Sequence, residues 1–315
     1  MKSGIIALGE ALIDFIPTDS TNQVYYKSPG GAPANVAVGV ARLGAKSTFI
    51  GKVGNDSLGR FISETLSSNN VNTNQLTYSS DLKTGITLVM NDETGERDFE
   101  FFIDTSADQF LDMSDIDEKN FMEHKILHIG SISLIKDPAS EATKYAIDLA
   151  KKNNMIVSYD PNLRLELWET EEKARQTIMS VLNEVDFLKV SEDELKFLTS
   201  ENDIDTGVKK LSQYKIPLII VSLGNNGCVV YYENGRQHVP SIEVNTVDTT
   251  GAGDAFVAGM LYCLNEYEGK IDQLTIEGIA EMARFSSIVG ALTTTKKGAM
   301  DAIPSITEVN EILNK

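Results

Sequence analysis

A chain of 315 residues is long enough for one large α/β domain with an insertion, or for two domains of ordinary size. With 28 Lys plus Arg against 46 Asp plus Glu, its formal charge of −18 argues against nucleic acid or an anionic membrane surface as the main partner. A polyanion could still be held by locally placed N–H groups, a few basic residues and a divalent metal. Cys228 and Cys263 lack metal-ligand or redox spacing and read as small core residues in a reducing compartment. His124, His128 and His238 are scattered, so their spacing offers neither a zinc site nor a Ser-His-Asp triad.

The opening run from Met1 to Glu10 is too short and apolar over too few residues for a signal peptide, and it flows into expected structure. No segment approaches the roughly 18 consecutive apolar residues of a membrane span. A soluble, cytoplasmic protein is therefore expected. Strand-like runs at Gly4–Gly9, Ser47–Val53, Lys125–Gly130, Met155–Asp160, Val185–Val190 and Leu218–Leu223 alternate with helical patterns. The helices are expected at Ala34–Leu43, Leu58–Ser67, Ala139–Asn153, Lys173–Glu184, Ile204–Tyr214, Ala252–Glu266 and Ile276–Leu292, with a short closing helix in Ser305–Lys315. This alternation predicts an α/β fold whose mostly parallel sheet is covered on both faces.

Two stretches break the rhythm. Ala11–Lys27 and Thr84–Ile103 alternate like strands but are too polar on one face to join a central sheet. They predict a small β-sheet covering a cleft, inserted as residues 11–27 and 84–103 into a main domain of residues 1–10, 28–83 and 104–315. An ordinary surface hairpin would leave the same pattern in the second stretch.

The most informative segment is Asp248-Thr249-Thr250-Gly251-Ala252-Gly253-Asp254, followed by an apolar helical run. Its glycines let backbone approach a ligand, and unpaired N–H groups at the helix start favour an anion there. Asp254 in the first turn adds a carboxylate able to accept a proton, a pairing suited to phosphoryl transfer onto a hydroxyl. A favourable charge at the helix dipole's positive end would look the same in isolation. A second glycine-rich segment, Gly30-Gly31-Ala32-Pro33-Ala34-Asn35, opens another helix, with Asp14 shortly before it. It offers groups suited to sugar hydroxyls, or simply a tight turn with an N-cap role. A P-loop is excluded because Gly51-Lys52 lacks the upstream Gly and the following Ser or Thr. The dinucleotide fingerprint fails because Phe256 stands where its third Gly belongs.

The two glycine-rich segments, together with Gly51-Lys52-Val53-Gly54-Asn55-Asp56-Ser57-Leu58-Gly59, resemble the ribokinase-like (PfkB) family of carbohydrate kinases from Gly9 to Pro304. Within it, the Gly-Gly-Ala-Pro-Ala-Asn form and the run Tyr159-Asp160-Pro161-Asn162-Leu163-Arg164-Leu165-Glu166-Leu167-Trp168 look most like fructokinases. The resemblance implies a ribokinase-like three-layer αβα sandwich with a β-sheet lid, ATP as donor, Mg²⁺ as its partner, and a homodimer formed through the lid. It implies that Asp254 is the base, that Gly251, Ala252 and Gly253 form an anion hole with it, and that Asp14, Gly30, Gly31 and Asn35 hold the sugar.

Further roles follow from the same resemblance. Glu194 matches a residue tied indirectly to magnesium, although Ser191 replaces the usual Asn of that motif. Lys189, Ser222, Gly224 and Gly227 match nucleotide contacts, and Arg164 a substrate cation; a surface lysine and a surface ion pair are the plain readings of Lys189 and Arg164. Asp248 and Thr250, with carbonyls around Thr293–Gly298, match a monovalent cation site suited to K⁺. Many fructokinases carry a Tyr-Arg pair before the Ser-Ala-Asp motif, where this chain reads Phe101-Phe102-Ile103-Asp104-Thr105-Ser106-Ala107-Asp108. Ile103 thus replaces an arginine, leaving Arg97 and Phe102 as lid contacts to the substrate. Other acceptors, such as 2-keto-3-deoxygluconate, ribose or a nucleoside, stay open at this stage, as does a non-catalytic sugar sensor.

Overall fold

The computed structural model describes residues 2–91, 97–103 and 105–314, with backbone alone at residues 91 and 97–99. Among the described residues, nine strands form the main sheet. They are β1 (Ile5–Leu8), β4 (Ser47–Gly54), β5 (Asn72–Ser79), β8 (Ile126–Ile129), β9 (Ile156–Tyr159), β10 (Phe187–Ser191), β11 (Leu218–Ser222), β12 (Cys228–Tyr232) and β13 (Gly235–Val239). Their order is β13-β12-β11-β10-β9-β8-β1-β4-β5, parallel except that β12, near one edge, runs antiparallel to both β11 and β13.

The α-helices among the described residues are α1 (Ala32–Arg42), α2 (Ser57–Ser68), α3 (Lys119–Glu123), α4 (Ala139–Lys152), α5 (Glu171–Ser180), α6 (Glu192–Thr199), α7 (Ile204–Leu211), α8 (Ala252–Glu266), α9 (Ile276–Thr293) and α10 (Ile306–Leu313). Successive residues of a strand point to opposite faces, and both faces are apolar. Ile6 and Leu8 of β1 enter a core with α4 and α5, while Ile5 and Ala7 pack on the side of α1 and α8. Three layers result. Among the described residues no helix is long and apolar enough to cross a membrane.

A separate sheet has the order β3-β2-β6-β7, from β2 (Leu12–Pro17), β3 (Tyr25–Gly30), β6 (Ile86–Asn91) and β7 (Arg97–Phe102). Its strands come from the two stretches that alternate in sequence. Strand β3 runs on to Gly30, so Ser28 to Gly30 belong to this sheet and not to the main one, contrary to the boundary read from polarity.

The six strands expected from sequence are all present, but β5, β12, β13, α3 and α6 are additional. The hydrophilic run in β5 (Asn72-Thr73-Asn74-Gln75) and the charged start of α6 hide them from a hydropathy pattern. Two expected helices end early: α5 stops at Ser180 and α7 at Leu211, and each is continued by a separate three-residue 3₁₀ turn, Leu182–Glu184 and Ser212–Tyr214.

Helices α1 and α8 pack unusually closely because Gly39 faces Ala258. A Cβ on Gly39 would lie 2.5 Å from the Ala258 Cβ. One turn earlier on each helix, that same contact brings Asn35 against Asp254. Gly39→Ala is expected to push the helices apart, costing about 1–3 kcal/mol by overpacking and lowering kcat with it. Thermal unfolding and steady-state assays of the one variant check both effects.

Candidate active site

The small sheet, the start of α1 and the start of α8 enclose a cavity of about 480 Å³. From the sheet come Leu12, Asp14, Thr87 and Phe101. Three of these form one cross-strand row, since Asp14 pairs with Thr87 and Thr87 with Phe101. The alternation that turns Phe101 inward turns Phe102 outward, where it is 54% exposed. Phe102 therefore does not line the cavity, and Phe101 takes the place expected for it. The Arg97 side chain lies outside the described residues.

At the cavity floor, Asp254 is buried in the first turn of α8. Its Oδ2 accepts a hydrogen bond from Asn35 Nδ2 at 2.8 Å, and its Oδ1 accepts one from Asn162 Nδ2 at 3.2 Å. Burial pushes its titration up to about 7; the Asn35 hydrogen bond opposes the rise, Asp160 adds to it, and Lys189 and Arg164 oppose it. Burial similarly raises Asp14 to about 6. Asn35, expected as a sugar contact, thus also orients Asp254, while its carboxamide oxygen has no partner among the described residues.

Gly31 and Gly30 act by what they lack. Gly31 precedes α1 at φ +103°, and a Cβ there would lie 2.4 Å from the Glu10 carbonyl oxygen. Gly31 lines the cavity; Gly30 does not, but a Cβ on it would fall 2.3 Å from Asp14 Oδ2. Since Gly31 has no side chain to cap α1, Glu10 does so from a distance, its Oε1 accepting from Ala32 N–H at 3.0 Å. Glu10 is buried in the cavity wall, and burial raises it to about 8, with Asp108 and Asp254 adding to the shift. Neither Glu10 nor Asn162 is singled out by sequence, because each acts on a helix start far along the chain.

A second cavity, of about 220 Å³, opens on the other side of the α8 start. Ser222, Gly224 and Gly227 line it from the β11–β12 turn, and Ala252, Phe256 and Gly290 from α8 and α9. The two cavities share Lys189, Thr249 and Gly253. Lys189 is no surface lysine. Its Nζ is buried and bonds Asp160 Oδ2 at 2.9 Å, and although burial opposes its charge, Asp160 and Glu194 outweigh that and hold it protonated. Arg164 lies at the exposed rim of the larger cavity, donating to the Leu163 carbonyl at 2.9 Å.

The start of α8 is shaped for close approach. Gly251 has φ +76°, a left-handed conformation that favours glycine. Ala252 N–H is already bonded to the Thr249 carbonyl at 3.2 Å, so the anion hole expected from Gly251 to Asp254 falls to the remaining N–H groups. A Cβ on Gly251 would lie 2.8 Å from the Ala299 Cβ. Gly251→Ala is expected to cost about 1–3 kcal/mol in backbone strain and to distort the cradle, weakening binding of an anion held there; chemical denaturation and ligand titration of the variant check this.

Beside this start, Asp248 Oδ1 accepts from Thr250 N and Oγ1 at 3.0 and 2.7 Å, and Oδ2 from Gly298 N at 3.2 Å. Its own N–H bonds the Thr294 carbonyl at 3.1 Å, so the two segments expected to meet do meet. Glu194 lines neither cavity. Its Oε1 accepts from Leu163 N at 2.8 Å and its Oε2 from Ser191 N at 2.7 Å, while Ser191 Oγ caps α6 in return. Ser191 in the expected Asn position is thus a helix cap. The histidines stand apart from this chemistry: burial keeps His128 neutral, near 3, and His124 lowered.

Two cavities meeting at a glycine-rich helix start, with a buried carboxylate in one wall, suit transfer of a group between two small molecules. The family model described as pfkB family carbohydrate kinase matches residues 2–306. The chain belongs to that family. It is 42% identical to the probable fructokinase-7 of Arabidopsis thaliana, over 98% of this chain and 92% of that one. Among solved structures it is similar to the ATP-bound fructokinase of Xylella fastidiosa, with a TM-score of 0.94, 32% identity and coverage of 100% and 99% of the two chains. It is likewise similar to the Vibrio cholerae O395 fructokinase with fructose, ADP and calcium ion bound, with a TM-score of 0.91, 40% identity and 99% of each chain covered. This carbohydrate kinase has the ribokinase-like α/β fold, and its smaller sheet is the one predicted from alternation.

Proposed function

We propose that this kinase is an ATP-dependent fructokinase, transferring the γ-phosphoryl group to a primary hydroxyl of fructose to give fructose 6-phosphate, with Asp254 as general base. The observation that carries the reading is the junction of the two cavities at Gly253, Thr249 and Lys189, with Asp254 beside it. Its relatives are named fructokinases, and a structural neighbour is described with fructose and ADP bound. Fructose would occupy the larger cavity beneath the lid sheet, against Asp14, Asn35 and Phe101. ATP would occupy the smaller one, with its γ-phosphate at the α8 start.

As the sugar oxygen attacks phosphorus, its proton passes to an oxygen of Asp254, and the O–P bond forms while the bond to the ADP oxygen breaks. The first-turn N–H groups and Lys189 face the charge that gathers on the transferring group. Among the described residues no cluster of His, Cys, Asp or Glu could hold a metal by itself. That suits Mg²⁺ held mainly by nucleotide phosphates, with Glu194 acting through water. Such an ion would neutralise phosphate charge. K⁺ would sit between the Asp248–Thr250 and Thr294–Gly298 segments, held by carbonyls. The two free thiols, Cys228 and Cys263, accord with a cytoplasmic setting.

Phe101→Ala is expected to raise the fructose KM about tenfold, while Phe102→Ala leaves it within twofold, since of the two only Phe101 lines the cavity. The reading as a whole is tested by ADP release with ATP and Mg²⁺ against fructose, glucose, mannose, ribose, 2-keto-3-deoxygluconate and adenosine. Turnover is expected with fructose far above the rest; preference for another acceptor overturns the substrate assignment.

A further inference from the structure

Asn162 follows β9 at φ +46°, a left-handed conformation that asparagine tolerates better than most side-chain-bearing residues. Its backbone N–H donates to Asp160 Oδ1 at 3.2 Å, Asp160 Oδ2 takes the Lys189 Nζ at 2.9 Å, and its own Nδ2 donates to Asp254 Oδ1 at 3.2 Å. Three hydrogen bonds in series therefore run from the cation at the cavity junction to the carboxylate. Asn162 is half-buried and lines the larger cavity.

We propose that Asn162 is a positioning residue that fixes the orientation of the Asp254 carboxyl and ties that orientation to Lys189 through Asp160. The inference rests on Asp254 being the base. A single donor, Asn35 on Oδ2, leaves the carboxyl free to swing about its Cβ–Cγ bond; a second donor on Oδ1 removes that freedom. Neither carboxamide titrates, so the clamp holds at every pH where Asp254 works. The charged and titratable groups facing Asp254 are Asp160 and Glu10, which favour its protonated form, and Lys189 and Arg164, which favour the carboxylate. Asn162 adds a neutral donor on the side of the carboxylate.

The turn's left-handed backbone supplies a clean test, because Asn162→Gly keeps that conformation and removes only the carboxamide. The kcat with fructose is expected to fall on the order of tenfold, with the fructose KM within about threefold. The acid limb of the kcat/KM profile should also move to higher pH, since the carboxylate loses a donor; a merely structural role would not shift it. Asn162→Ser, too short to reach Asp254, repeats the measurement should Gly loosen the turn. Wild-type kcat and an unmoved limb in both variants would overturn the proposal. Asp254→Asn, assayed alongside, separates the two readings: a kcat within a few-fold of wild type in that variant sinks the base assignment, whereas an Asp254→Asn slowed by about 10²-fold or more beside wild-type behaviour at position 162 sinks only the role of Asn162.

Discussion

Asp254→Asn is expected to lower kcat by about 10²–10⁴-fold while leaving the fructose Kd nearly unchanged, because the side chain is isosteric and the proton acceptor is lost. Its new amide N–H can be met by Asn35 turning toward it the carboxamide oxygen that has no partner among the described residues. Binding measured calorimetrically and turnover measured by ADP release give the two numbers. A kcat within a few-fold of wild type would remove Asp254 from the chemistry. The wild-type pH profile provides an independent check. Since burial lifts Asp254 to about 7, the fraction able to accept a proton falls as pH drops through that value. Thus kcat/KM should decline on the acid side with a limb near pH 7, and a limb near the ordinary aspartate range would contradict the buried environment. Asp14, raised to about 6, titrates below that limb and, in its proposed role as a sugar contact, would weaken binding in the same direction as it protonates.

Lys189→Met should be the most destabilising single change at the site. Lys189 and Asp160 form a buried ion pair with side chains only 9% and 5% exposed. Removing one partner strands the other, and a broken buried pair typically costs about 3–5 kcal/mol. Without the ammonium, Asp160 is left to burial, which already favours its protonated form. Its folded-state titration then lies above the unfolded one, so the loss is full only above that raised folded value, shrinks as pH falls from it toward the ordinary aspartate range, and is gone below that range. Denaturant midpoints of variant and wild type at pH 7.5 and pH 4 measure this, the gap narrowing in acid. A gap that is small at pH 7.5 would mean that Asp160 finds other support. The variant should also raise the KM for ATP, because Lys189 borders the smaller cavity.

Much of this molecule is written locally. The six buried strands, the separate lid sheet, the glycines before α1 and α8, and Asp254 in the first turn of α8 all follow from period, polarity and residue type, which act over a few neighbours. What short-range signals do not carry is parity and partnership. Phe101 and Phe102 are equally apolar in sequence, and only the pairing of Thr87 with Phe101 decides which one meets the cavity. Strand β5 is set by the edge it pairs with rather than by its own hydropathy. The surroundings of Asp254 are likewise tertiary: Asn35 is 219 residues away and Asn162 is 92, and they converge on one carboxylate because Gly39 lets two helices touch and β9 ends beside the start of α8. Sequence alone therefore determined the candidate base and the elements that carry it. The tertiary structure decided how that group is held, because a carboxyl's orientation and titration depend on burial and on donors that reach it through space.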